Sequence, residues 1–186
     1  MTNEIVLGSG KLYVAAFTAG STLSGLSTYC TTTNQLGLIQ GGAAIEYKPT
    51  TYEVKDDLCM VYKRFITSEE ATLKSGVLTW NTETLHNFIG NASYAEASGT
   101  GIKTFKLGGN GAREMDEWIV VFEHTKKDGT VVRIGMVATN DAGLALSFQP
   151  DKETVVDAEF KAITNDSNGC LLIVEETPAP TPPTGH

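Results

Sequence analysis

Histidine, cysteine and basic charge are all scarce in these 186 residues, and each shortage excludes something. Cys30, Cys59 and Cys170 are odd in number and widely spaced, with no CxxC pair. That pattern argues against a disulfide framework or zinc site and for small buried or reduced thiols. His86, His124 and His186 have no second histidine or cysteine three or four residues on, and each reads as a surface or capping residue. No GxSxG or HExxH motif occurs, so no catalytic residue, metal or cofactor is expected, and the chain reads as a non-enzyme. No run approaches 18 apolar residues, and Met1-Thr2-Asn3-Glu4 opens acidic rather than basic. Neither a membrane span nor a signal peptide is expected, which predicts folding in a cytoplasm. Lys and Arg number 14 against 22 Asp and Glu, a net charge of −8. Such a chain repels phosphate and gains little from counterion release, which disfavours nucleic-acid binding.

What the sequence has is glycine (19 residues), threonine and short alternating runs, the composition of strands and tight turns. One mainly β domain over residues 1–176 is expected, followed by a weakly ordered tail, 177–186, that holds four of the six prolines. Strands are predicted at Lys11 to Phe17, Ala43 to Lys48 resuming at Tyr52 to Val54, Cys59 to Thr67 and Glu69 to Trp80. Pro49 interrupts the second of these or marks it as an edge. Within Glu69 to Trp80, Ala71, Leu73, Ser75 and Val77 share one face, and Glu70, Thr72 and Lys74 share the other. Asn81 caps a helix whose stripe is Leu85, Phe88 and Ile89 and whose stop is Gly90. Glu117 to Thr125 and Thr130 to Ala138 flank the hairpin signal Asp128-Gly129, and both faces of the first strand read as buried. Gly143 to Phe148, Val155 to Ile163 (Val156, Ala158, Phe160 and Ala162 inward) and Leu171 to Val174 complete the strands. Thr18 to Thr33 reads as a long surface loop.

Several motifs dissolve on inspection. Gly8-Ser9-Gly10-Lys11 resembles a phosphate loop, but Ile5 and Leu12 stand where glycine and Ser or Thr are required. Gly108-Gly109-Asn110-Gly111 reads as a turn. Asn91-Ala92-Ser93 and Asn165-Asp166-Ser167 are chance glycosylation sequons in a chain without an export signal. The pairs Asp56-Asp57, Glu69-Glu70 and Glu175-Glu176 alternate across their strands, so neighbours cannot cooperate as acid and base. Trp80 and Trp118 sit in apolar strand contexts and read as core.

Gly41 to Thr50, Tyr52 to Leu58 and Arg64 to Thr79, together with Gly8 to Val14, resemble the major tail tube proteins of tailed bacteriophages. Cys59-Met60 stands where the resemblance leads one to expect a glycine. The resemblance implies a β-sandwich or barrel-like fold with one flanking α-helix. Its long strands would contribute to an inter-subunit β-barrel that lines the lumen of stacked hexameric rings. It implies a structural virion protein, assembled in the bacterial cytoplasm, whose partners are copies of itself and other tail proteins (baseplate or tip, terminator, tape measure). DNA would pass through without specific binding. On this reading Glu46, Lys48, Glu70, Thr72 and Lys74 face the lumen. Tyr52, Glu53, Lys55, Asp56 and Asp57, with the Thr18 to Thr33 loop, are candidates for ring-to-ring contact. Two alternatives stay open: the tube of a contractile injection particle, and a β-sandwich module that binds carbohydrate or a cell surface.

Overall fold

The computed structural model describes residues 10–18, 21, 23–58, 60–86, 89, 92–109, 115–164 and 169–180. Among them the chain is mainly β, as the composition implies, and the strands do not close into a barrel. A seven-stranded antiparallel sheet runs in the order β1 (Lys11–Ala16), β6 (Trp118–Thr125), β7 (Val131–Asn140), β8 (Val156–Ile163), β3 (Val61–Val77), β2 (Ile39–Lys55). The seventh strand, β9 (Ile173–Thr177), pairs with the first half of β7, while β8 takes its second half. A separate hairpin joins β4 (Ala92–Glu96) to β5 (Lys103–Leu107), and one turn of helix, α1 (Thr82–His86), lies before it.

Alternation builds two apolar layers. Leu12, Val14, Trp118, Val120, Met136, Ala138, Val156, Ala158, Phe160, Leu73 and Val77 form the larger, joined by Leu85 and Ile89 from the helical segment. The residues between them in β1, β6 and β7, namely Tyr13, Ile119, Val121 and Val137, form a second cluster with Leu23 and Leu26. Both faces of β6 are therefore buried, as the run Trp118 to Phe122 predicted. The inward set on β8 is also as read, with Phe160 fully enclosed.

Four expectations need correction. The Thr18 to Thr33 segment is no open surface loop: Leu26–Tyr29 forms a 3-10 turn, and Leu23 and Leu26 are buried. The Glu175 carboxylate on β9 accepts hydrogen bonds from the Gly25 and Leu26 backbone N–H groups at 3.1 and 3.0 Å, fastening the turn to the sheet. Leu26 packs so closely on Gly135 that a Cβ there would lie 2.4 Å from its Cδ2. Second, the strands expected at Cys59 to Thr67 and Glu69 to Trp80 are one continuous strand, and Pro49 does not break β2. Among the described residues β2 pairs with β3 alone, so Pro49 lies in an edge strand, the second of the two readings open to it. Third, Gly143 to Phe148 is not a strand; Gly143 takes φ 66° and the chain there is irregular. Fourth, the last strand is shifted to Ile173–Thr177 and so includes the first tail residue. The sequence also left the β4–β5 hairpin unread.

The predicted helix keeps its cap and, among the described residues, its apolar stripe. The Asn81 Oδ1 accepts from the N–H groups of Glu83 and Thr84, both at 2.9 Å, and Leu85 and Ile89 bury their side chains. Phe88 and Gly90 lie outside the described residues, as do Gly8, Ser9, Cys59, Asn91, Asn110, Gly111, Asn165 to Ser167 and His186. The Asp128-Gly129 hairpin is as expected. Gly129 takes φ 89°, and the Asp128 carboxylate accepts from the Thr130 N–H and hydroxyl at 2.8 and 2.9 Å. Those hydrogen bonds hold its pKa below the ordinary aspartate value.

Candidate assembly surface

β2 and β3 are 17 residues each, which at about 3.3 Å per residue makes a ribbon roughly 56 Å long. β8 supports β3 only from Thr72 to Val77. Beyond that point the ribbon pairs with itself alone, and every residue of β3 from Val61 to Glu70 is exposed. This arm divides into a polar face near its root and a differently built tip.

At the root, register gathers all five residues expected to face the lumen. Lys48 lies across from Glu70, Glu46 from Thr72, and Ala44 from Lys74. β8 then adds Lys161 opposite Thr72 and Glu159 opposite Lys74. Lys74 Nζ meets Glu159 Oε1 at 2.7 Å and Lys161 Nζ meets Glu70 Oε1 at 3.0 Å, stitching β3 to β8. The Glu159 carboxylate, with Glu46 and Glu70 nearby, raises the Lys74 pKa, and Glu70 does the same for Lys161. A shallow groove of about 170 Å³ runs over Glu46, Lys48, Glu70, Thr72, Lys74 and Glu159. Glu46, Glu70 and Glu159 match Lys48, Lys74 and Lys161 here, and Asp157, which lines a neighbouring groove with Lys74 and Glu159, takes the face to a net −1. The chain's negative balance is therefore not concentrated here. Glu159 and Lys161 were absent from the sequence reading, although the inward parity of Val156, Ala158 and Phe160 already sends Asp157, Glu159 and Lys161 outward.

At the tip, the expected contact residues separate. Between Thr50 and Thr51 the register shifts, because β3 carries one extra residue, Thr67. β2 alternates on through the bulge while the parity of β3 inverts. Tyr52 thus pairs with Phe65 and Val54 with Lys63, on the side of the ribbon that bears Glu46 and Lys48. Lys63 Nζ stands 4.9 Å from the centroid of the Phe65 ring. The other side carries Glu53, whose carboxylate binds Arg64 Nε at 2.8 Å and Lys55 Nζ at 3.1 Å. These cations hold the Glu53 pKa below the ordinary range. Asp56 does not point at a neighbour: its Oδ1 accepts from the Leu58 and Met60 N–H groups at 3.1 and 2.8 Å, and its Oδ2 from the Tyr62 hydroxyl at 3.1 Å. It organises the turn, and Asp57 beside it is exposed. Leu58 (80 % exposed), Tyr62, Phe65 and Ile66 are exposed apolar groups that the sequence pattern did not single out.

The remaining candidates are structural. Trp118 is buried in the larger core, and Trp80 packs against it with its Nε1 donating to the Thr154 carbonyl at 3.3 Å. His124 is buried, not at the surface, and His86 stacks on Tyr94 with ring centroids 5.9 Å apart. Cys30 and Cys170 are half-buried, their thiols donating to the Leu26 and Leu172 carbonyls at 3.4 and 3.6 Å; burial pushes the Cys30 thiol up to about 11. Among the described residues no His, Cys, Asp and Glu side chains gather into a group that could hold a metal, and no helix is long and apolar enough to cross a membrane. No protein-family model matches the chain, and no curated protein matches it.

Proposed function

We propose that this protein is a non-enzymatic structural subunit of a phage tail tube, assembling into stacked hexameric rings that form a hollow conduit for DNA. The observation that carries this reading is the β2–β3 arm. Nine large apolar side chains stand exposed along it and its turn, on a ribbon with no supporting layer on either side. Exposed apolar side chains in that number suit a protein–protein contact, and an unpaired edge such as that of β2 is a liability until another chain covers it. In a closed ring each subunit covers its neighbour's edge. The root of the arm would present its Glu–Lys face to the lumen, and the tip would reach a neighbouring ring. Partners would be further copies and the other tail proteins, in a virion assembled in the bacterial cytoplasm.

The tube of a contractile injection particle would use the same surfaces. A binding module is favoured by one observation, the exposed Tyr52–Phe65 pair, since paired aromatics suit sugar stacking. Size-exclusion chromatography with negative-stain electron microscopy separates these readings. Rings or tubes are the expected result; a monomer at every concentration would overturn assembly and leave the binding module.

A further inference from the structure

The polar face at the arm's root holds three lysines on a chain whose net charge is −8, and all three are matched by carboxylates. Lys74 is in direct contact with Glu159, and Lys161 with Glu70. Lys48 lies across the ladder from Glu70 and lines one groove with Glu46. We propose that Glu46, Glu70 and Glu159 act as built-in competitors that keep Lys48, Lys74 and Lys161 from gripping a phosphate chain. The purpose rests on the conduit reading, while the charge property does not. A purely acidic face would repel a polyanion over its whole length, and a purely basic one would hold it. Here a phosphate reaching Lys74 or Lys161 must displace a Lys–Glu contact already made, and one reaching Lys48 meets the Glu46 and Glu70 carboxylates in the same groove.

The geometry favours competition over simple stabilisation. The paired groups keep substantial exposure (side chains at 55 and 37 % for Lys74–Glu159, 48 and 49 % for Lys161–Glu70). Surface pairs of this kind contribute about 0–1 kcal/mol each to the fold. They are therefore dispensable for folding yet well placed to screen one another from a passing phosphate. β8 supplies one partner to each pair, so the patch of paired charges spans three strands.

The test is fluorescence anisotropy of the full chain with a labelled single-stranded oligonucleotide at low ionic strength. Wild type should not bind measurably. Glu46→Gln/Glu70→Gln/Glu159→Gln should gain tenfold or more in affinity. Its log–log salt slope should be about −2 per protomer engaged, from three freed lysines at about 0.7 each. Adding Lys48→Gln/Lys74→Gln/Lys161→Gln should abolish that gain. A folded triple variant that stays inert, or a wild type that binds equally well, overturns the proposal. Should the triple variant lose its native circular dichroism, Glu70→Gln alone gives the same reading with a smaller gain, and no gain there is equally fatal. Negative-stain images of wild type and variant keep the two ideas apart: wild-type tubes with an inert variant sink this inference alone, whereas a binding variant whose wild-type parent never assembles sinks the conduit alone.

Discussion

Leu73 is fully buried in the larger cluster while its neighbour Lys74 stands on the polar face, and one substitution tests how sharply the strand separates its sides. Leu73→Asp removes a core side chain and buries a carboxylate without a partner, costing about 3–5 kcal/mol; chemical denaturation should show a fold lost or nearly so, before any question of assembly arises. Gly37 takes φ 97°, and a Cβ there would meet the Thr79 carbonyl oxygen at 2.3 Å. Gly37→Ala should therefore cost about 2 kcal/mol or more, since backbone cannot yield as a side-chain end can. Tyr13 supplies a pH test. Burial, with the Glu123 carboxylate 3.4 Å from its hydroxyl, pushes its pKa up to about 12. The folded state then holds its proton more tightly than the unfolded state, whose tyrosine titrates near 10. The stability this contributes is complete below pH 10 and is lost as pH rises towards 12. Urea unfolding at pH 8 and pH 11 should show the loss, and Tyr13→Phe should reduce the difference between the two.

At the scale of elements, the sheet was legible wherever alternation or a glycine turn decided the outcome. The β6–β7 hairpin, the inward set of β8 and the two faces of Ala71 to Val77 all follow from period-two patterning. What the sequence could not disclose depends on register and support. Nothing in the local chemistry of Thr67 distinguishes a bulge from a regular strand residue, yet it inverts the parity of β3 and moves Phe65 to the side of Tyr52. Likewise Gly143 to Phe148 has the composition of a strand but no ladder partner, and the Thr18 to Thr33 segment hid a core contact because its apolar residues, Leu23 and Leu26, are so widely diluted by Ser, Thr and Gly. The tip offers a direct check on what the arm is for. Tyr52→Ser/Phe65→Ser removes two exposed rings, so the stability of the isolated chain should change by no more than about 0.5 kcal/mol. Under the tube reading the same variant should fail to form rings or stacks by electron microscopy; unimpaired tubes would remove this face from the contact.

For the molecule as a whole, the candidate site divides the same way. The five root residues were placed together by reading one strand's faces, whereas their partners on β8 required knowledge of which strands are neighbours. The five tip residues shared a segment and little else, because an alternating ribbon sends consecutive residues to opposite sides. The nearly balanced root also has a consequence for the rest of the surface. Since that patch carries only −1 of the chain's −8, the remaining −7 is worn elsewhere, and under the tube reading six subunits would carry a formal −42 outside it. Assembled particles would then behave as a charge-stabilised colloid, dispersed near neutral pH and flocculating side by side as the medium approaches the sequence pI of about 4.8. Light scattering along an acid titration should record that clumping, and raising the salt concentration at neutral pH should bring particles together by screening the same repulsion.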